Sequence, residues 1–137
     1  MSKQGSQKRL DEIYKEIDSL NPEILPDLNK MIRLYSQAQM IIGFLDAQAL
    51  YDYGAAYAKR KLVQGDVKAN YQGTGVEKEG QSEIAIHDLR IEESKAQSES
   101  RKWNNLFKAT ENLIIALRRD QGTMAEELKK ANDLYER

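Results

Sequence analysis

Tyr71-Gln72-Gly73-Thr74-Gly75-Val76-Glu77 lies between two long stretches of good helix formers and decides how the chain folds. Its glycines and threonine are typical of a turn, and Thr74 with Glu77 has the spacing of a capping box, which begins a helix. The segment therefore predicts a reversal at residues 72–75 with a long helix on each side. A short β-hairpin across residues 67–76 is the alternative interpretation, because the same residues also suit a hairpin turn.

Each stretch that flanks this turn predicts one helix. From Asp27 to about Val63, only Gly43 and Gly54 interrupt the good helix formers. We predict one helix over residues 27–71 and a second over residues 75–120, where apolar residues recur with the helical period. In an antiparallel pair with this turn, the numbers of two facing residues should add up to about 147.

The sizes of facing residues test this pairing. It brings large apolar residues together, with Trp103 and Phe107 opposite Phe44 and Met40. Residues 92–102 contain no large apolar side chain, and they lie opposite residues 45–55, where alanines and Gly54 are frequent. Because small residues let helix axes approach below the usual spacing, we expect close packing there.

Two shorter helical segments flank the long pair. Residues 6–20 show the helical period, with Ser6 as the expected N-cap and Asn21-Pro22 as the stop. Gly122 followed by Thr123 is a second stop-and-cap signal, so residues 123–136 are expected as a helical tail, either separate or continuous with the third helix. The predicted fold class is all-α, a long antiparallel helical hairpin in a single elongated domain.

Charge and composition exclude several function classes. The chain of 137 residues has a net charge of −1, so no basic excess draws it onto nucleic acid. It contains no cysteine, which excludes disulfides and thiolate chemistry. The start of the chain does not look like a signal peptide, and the longest apolar run, residues 40–45, is too short to span a bilayer. We expect a cytoplasmic protein without membrane contact.

The apolar content also bears on assembly. With a mean hydropathy of −0.73, the core must be thin, and a lone pair of long helices with a polar middle stabilises itself poorly. We therefore expect a homo-oligomer.

Catalytic and metal sites are not predicted. His87 is the one histidine, and Glu83 lies four residues before it, where the two could share a metal ion. Because no further ligands accompany them, a solvated histidine is the preferred interpretation. No serine lies in a nucleophile elbow, and the glycines of the turn lack the lysine of a P-loop. We predict no catalytic, cofactor-binding or metal-binding residue, and no enzyme activity.

One basic and aromatic cluster is a candidate binding site for a partner or a nucleotide. It comprises Lys59, Arg60, Lys61 and Lys68 together with Tyr53, Tyr57 and Tyr71. Cations hold phosphates and tyrosine rings stack on bases, so this composition suits single-stranded nucleic acid or a nucleotide. The competing interpretation is a solvated helix end with half-buried tyrosines.

The stretch from Ala56 to Ala131 also carries a resemblance. Its pattern is a lysine-rich segment, a glycine turn, Val76-Glu77-Lys78-Glu79, Glu83-Ile84-Ala85, Asp88-Leu89-Arg90, Arg101-Lys102-Trp103-Asn104 and Ala109-Thr110-Glu111-Asn112. It resembles small uncharacterised helical proteins from the early or replication regions of phages and prophages of Gram-positive bacteria. The resemblance covers a little over half the chain.

The resemblance implies action by binding. We expect a non-catalytic interaction protein that binds a host or phage protein, for example as a counter-defence or host-takeover inhibitor. The alternatives are an accessory factor in phage replication or recombination that binds nucleic acid through the basic residues, and a helical sponge that sequesters a nucleotide signal against the tyrosines.

Overall fold

The computed structural model describes residues 2–136, which form three α-helices and no β-strand. Helix α1 spans Lys3–Asp18, α2 spans Leu25–Asn70 and α3 spans Gly75–Tyr135. The predicted all-α fold class is confirmed. The alternative of a β-hairpin across residues 67–76 is wrong, because α2 remains helical through Asn70 and α3 is already helical at Gly75.

Helix α1 begins earlier than predicted. Ser2 is its N-cap, and the Ser2 hydroxyl oxygen accepts a hydrogen bond from the backbone N–H of Gly5 at 3.0 Å. Ser6, the expected cap, lies inside the helix and is buried. The prediction was wrong because two serines with the same capping chemistry stand four residues apart, and the sequence gives no preference between them.

Side-chain hydrogen bonds fix the connection between α1 and α2. The Asn21 side-chain oxygen accepts a hydrogen bond from the backbone N–H of Glu23 at 2.9 Å. The Asp27 carboxylate accepts another from the backbone N–H of Asn21 at 3.0 Å. Pro26 lies in the first turn of α2, as predicted. Its missing N–H costs nothing there, since the first N–H groups of a helix have no partner within the helix.

A capping box joins α2 to α3, as predicted. The Thr74 hydroxyl accepts a hydrogen bond from the backbone N–H of Glu77 at 3.2 Å, and the Glu77 carboxylate accepts one from the backbone N–H of Thr74 at 3.2 Å. A Cβ added at Gly73 would lie 3.0 Å from the Tyr71 ring and would displace the Glu77 carboxylate from its position in the cap, so glycine favours this geometry. The local residues of the turn thus determine where α3 begins.

Removal of this cap should destabilise the protein measurably. We expect Thr74→Ala to lower the free energy of unfolding by about 1 kcal/mol, because the N–H of Glu77 loses its partner. Urea denaturation followed by circular dichroism measures the change. Thr123→Ala is the matched control, since Thr123 is exposed within α3 and caps no helix end. Equal stability of the two variants would contradict the role of Thr74.

Helix α3 continues through Gly122 to Tyr135, so the helical tail is continuous with the third helix. Gly122 has no left-handed backbone conformation, and the Thr123 hydroxyl donates a hydrogen bond to the Arg119 carbonyl, one turn earlier in the same helix. Of the two alternatives for the tail, continuation of the third helix is therefore confirmed, and the helix does not end at residue 120. A glycine within a helix costs only about 1 kcal/mol, and good helix formers stand on both sides of this one.

The described residues form two compact units. The first combines the residues up to Leu45 with those from Asn105 onward, and the second is Asp46–Asn104. In the first unit, Leu28 and Ile32 of α2 form a buried cluster with Leu117 of α3. Further buried residues of this unit include Leu10, Ile13 and Ile17 of α1, and Leu34, Ala38 and Ile42 of α2.

Residue sizes predicted only part of the packing in the first unit. The Phe107 ring lies against α2 at Gly43, where an added Cβ would be 3.3 Å from it. Met40, expected opposite the large apolar residues of α3, is 79% exposed. That expectation was wrong because the pairing fixes a position along the helix and leaves the side to which a residue points undetermined.

In the second unit, α2 and α3 each bury one side. The buried hydrophobic residues on these sides are Ala49 of α2 and Ile86 and Trp103 of α3. The Trp103 ring N–H donates a hydrogen bond to the Glu99 carboxylate at 2.8 Å. Close packing at Gly54 was expected here. It is not observed, because Gly54 is exposed and an added Cβ would meet nothing within 4 Å.

Candidate functional site

All seven candidate binding residues belong to the second unit. Six of them lie on α2, and Tyr71 is the first residue after that helix. The structure brings Tyr57, Arg60 and Lys61 together on about one turn of α2. Lys68 and Tyr71 lie two to three turns further along, at the connection to α3.

Arg60 is part of the packing between the helices. Its side chain is buried, and the guanidinium donates two hydrogen bonds to the Glu93 carboxylate of α3, one of them at 3.4 Å between Nη2 and Oε1. A third donor atom, Nη1, lies 3.1 Å from the side-chain oxygen of Gln64. Paired bonds of this kind are the strong form of the arginine–carboxylate interaction. Arg60 therefore joins α2 to α3, and its charge is already neutralised by Glu93.

Lys68 makes a second ion pair between the two helices. Its ammonium lies 2.8 Å from the Glu79 carboxylate of α3. Both side chains are largely exposed, so this pair contributes little to stability. It still reduces the positive charge that Lys68 presents to a phosphate.

Lys59 and Lys61 are the exposed cations of the cluster. The Lys61 ammonium lies 5.7 Å from the centre of the Tyr57 ring, within the range of a cation–π interaction. Tyr57 itself is exposed, whereas Tyr53 and Tyr71 are half-buried. Four cations were predicted to bind phosphate. Two of them, Lys59 and Lys61, face solvent and make no ion pair with α3 in the described part of the chain, whereas Arg60 and Lys68 do.

The Glu83 carboxylate is paired with Arg90. Both oxygens of the Glu83 carboxylate accept hydrogen bonds from Arg90, at 3.0 and 2.8 Å. The hydrogen bonds from Arg90 hold the pKa of Glu83 below its usual value. Between residues 2 and 136, no group of three or more histidine, aspartate or glutamate residues is placed to hold a metal ion.

Exposed apolar side chains are the main surface feature. Among the described residues, fifteen hydrophobic residues are buried in the core. Another fifteen large hydrophobic residues are exposed. Scattered exposed residues are normal, but contiguous apolar surface marks an interaction site. Two sets of these residues are contiguous, one on α2 in the second unit and one at the end of α3.

At the end of α3, every residue from 125 to 135 is exposed. Leu128, Ala131 and Tyr135 recur every three or four positions and lie along one side of the helix. Tyr135 is 93% exposed. The opposite side carries the charged residues Glu126, Lys129, Lys130 and Asp133. The segment is an amphipathic helix whose apolar side has no partner within the described residues.

Neither the exposed apolar surface of α2 nor that at the end of α3 was predicted from the sequence to be functional. The helical period of residues 124–135 was evident, but the same period is typical of a packed helix. On α2, apolar residues occur on all sides of the helix. This pattern indicates a helix that is packed on more than one side, and it could have identified the exposed surface of α2.

Comparison of the chain with protein-family models, curated proteins and solved structures gives no match. Within residues 2–136, no helix combines the length and apolar content that crossing a membrane requires.

Proposed function

We propose that the protein is a non-catalytic, phage-type interaction protein that acts in the bacterial cytoplasm by binding a host or phage protein. The observation that carries this proposal is the end of α3, residues 125–135, which is helical and exposed at every position. From the resemblance, we infer that counter-defence or host takeover is the purpose of this binding.

The end of α3 has the features of a helix that binds in a groove. Helix-in-groove recognition uses apolar anchors at positions i, i+3, i+4 and i+7 along one side of an amphipathic helix. Leu128, Ala131 and Tyr135 occupy positions i, i+3 and i+7 of this pattern. Because the segment continues α3, it is already helical before binding, and less conformational entropy is lost when the partner binds.

Affinity capture with matched variants tests this proposal. Immobilised wild-type protein should retain a specific protein from a lysate of a Gram-positive host or of phage-infected cells. Leu128→Glu should reduce the affinity for that purified protein at least about tenfold, because burial of a leucine contributes about 1.5–3 kcal/mol. Isothermal titration calorimetry measures the change.

Lys130→Gln is the control for this experiment. It changes the net charge by the same amount as Leu128→Glu, but it lies on the opposite side of the helix. It should leave the affinity unchanged. Circular dichroism should show equal helix content in both variants. Equal loss of affinity in both, or no retained protein with the wild type, would contradict the proposal.

Binding of nucleic acid or a nucleotide is the second candidate function, and the exposed Lys61 beside the Tyr57 ring favours it. The ion pairs of Arg60 and Lys68 weigh against it. This function predicts an affinity for single-stranded DNA or RNA that falls steeply with salt and is lost in Lys59→Ala with Lys61→Ala. A defined pocket against the tyrosines with bound nucleotide would support the variant that sequesters a nucleotide signal.

A further inference from the structure

The side of α2 that faces away from α3 in the second unit is largely apolar. Twelve residues between positions 47 and 62 are exposed, and eight of them are apolar or glycine. These eight are Ala47, Leu50, Tyr51, Gly54, Ala55, Tyr57, Ala58 and Leu62. We call them the α2 face. Tyr51 is 72% exposed and Leu62 is 67% exposed.

The α2 face lies directly opposite the buried side of the same helix. Residues 47, 51, 54, 58 and 62 recur every three or four positions and follow one line along α2. The buried residues Ala49 and Arg60 lie on the other side. A helix with apolar residues on both sides is normally covered on both, and the chain itself covers one.

We propose that the α2 face pairs with the α2 face of a second copy of the chain, in antiparallel orientation, with the two-fold axis between Gly54 and Ala55. The proposal goes beyond the proposed function, because the α2 face does not include the end of α3, which stays available to the other protein. In this pairing, the numbers of two facing residues add up to 109.

Residue sizes favour the antiparallel orientation. It places Tyr51 of one copy opposite Ala58 of the other, and Leu62 opposite Ala47. These two large side chains thus each meet an alanine, and the symmetry repeats both contacts. A parallel pairing in register would place Tyr51 on Tyr51 and Gly54 on Gly54, with steric crowding at one level and a void at another.

Charges favour the same orientation. Asp52 and Lys59 are exposed and lie seven residues apart on one flank of the α2 face. The antiparallel pairing sets Asp52 of each copy beside Lys59 of the other. A parallel pairing in register would place Asp52 and Lys59 of the two copies on opposite sides of the contact, so this charge pair would not form. A surface that complements itself in size and charge under a two-fold axis is the mark of an isologous dimer.

The centre of the face permits a close approach of the two helices. Gly54 and Ala55 lie next to the proposed axis, and both are exposed. An added Cβ on Gly54 would meet nothing within 4 Å in the single chain. Small residues at the point of contact allow helix axes to come nearer than the usual 8–10 Å.

Site-specific disulfide formation tests the pairing, because the chain contains no native cysteine. A disulfide requires Cα atoms within roughly 7 Å of each other. Ala55→Cys, next to the axis, should yield a cross-linked dimer on mild oxidation. Ala47→Cys should not cross-link to itself, because its two copies would be about 22 Å apart along the axis at 1.5 Å per residue.

A mixture of two variants completes the test. Ala47→Cys mixed with Leu62→Cys should give the mixed cross-linked dimer, since these positions face each other in the antiparallel pairing. Self-cross-linking of Ala47→Cys would instead show a parallel pairing and overturn the proposal. Absence of any cross-link with Ala55→Cys would also overturn it. Neither failure affects the proposed function, which Leu128→Glu tests independently at the end of α3.

Discussion

Replacement of Glu93 by alanine is expected to lower the free energy of unfolding by about 3–5 kcal/mol, because it leaves a buried arginine without its counter-ion. The Arg60 side chain is 8% exposed and that of Glu93 is 15% exposed. Water cannot easily replace the carboxylate at such a site. The guanidinium must either stay buried without its partner or pull α2 away from α3, and both are costly.

Urea denaturation of three variants isolates this effect. Glu92→Ala is the matched control, since Glu92 is the adjacent residue and is exposed, and it should change stability by less than about 0.5 kcal/mol. Arg60→Met with Glu93→Leu should recover most of the loss, because apolar residues of similar size can replace a buried ion pair. A loss from Glu93→Ala no larger than that from Glu92→Ala would contradict the structural role of the pair.

The result also affects how a test of nucleic-acid binding is designed. Arg60→Ala would leave Glu93 partly buried without a partner, which destabilises the fold. A loss of binding in that variant would therefore be a consequence of unfolding. Substitution of the exposed Lys59 and Lys61 avoids this problem.

Replacement of Leu28 by alanine is expected to cost about 2–5 kcal/mol, the range for a leucine removed from a packed core. Leu28 is fully buried against Ile32 and Leu117, with Tyr35 and Met124 packed around this cluster. Because the cluster joins the first part of α2 to the last part of α3, the cavity would lie at the principal contact between them in the first unit.

Thermal and urea denaturation measure this loss. Leu134→Ala is the matched control, since Leu134 is 72% exposed on α3 and touches no core, and its substitution should leave stability nearly unchanged. If the two leucine substitutions cost the same, Leu28 does not pack in the core as described.

The parts of the fold that follow from local chemistry could be predicted from the sequence. The Thr74 and Glu77 capping box is set by two residues three positions apart, and its hydrogen bonds are present as expected. The long helices follow from helix propensity and from the absence of proline beyond the first turn of α2. Gly122 and Ser6 have the residue types of a helix stop and of an N-cap, but α3 continues through Gly122, and Ser6 lies inside α1.

The side of α2 that packs within the chain could not be predicted. Apolar residues surround the helix, so the helical period alone does not separate Ile42, which is buried, from Met40, which is exposed. For the same reason, Gly43 meets the Phe107 ring while Gly54 meets nothing. Which side is covered depends on the rotation of one helix against another, and this is a property of the tertiary structure.

The candidate cluster illustrates the same limit. The basic run and its tyrosines were evident in the sequence, but the Glu93 that pairs with Arg60 is 33 residues away. Only the tertiary pairing of α2 with α3 shows that this arginine is structural and that Lys59 and Lys61 are exposed.

Sedimentation equilibrium tests most directly whether a second copy covers the α2 face. The wild type should have twice the chain mass of 15.7 kDa, and Tyr51→Glu should shift it to the mass of one chain. Tyr135→Glu, the same substitution on an exposed tyrosine outside the α2 face, should remain dimeric. A wild type with the mass of a single chain at every concentration, or a dimer that Tyr51→Glu leaves intact, would contradict it.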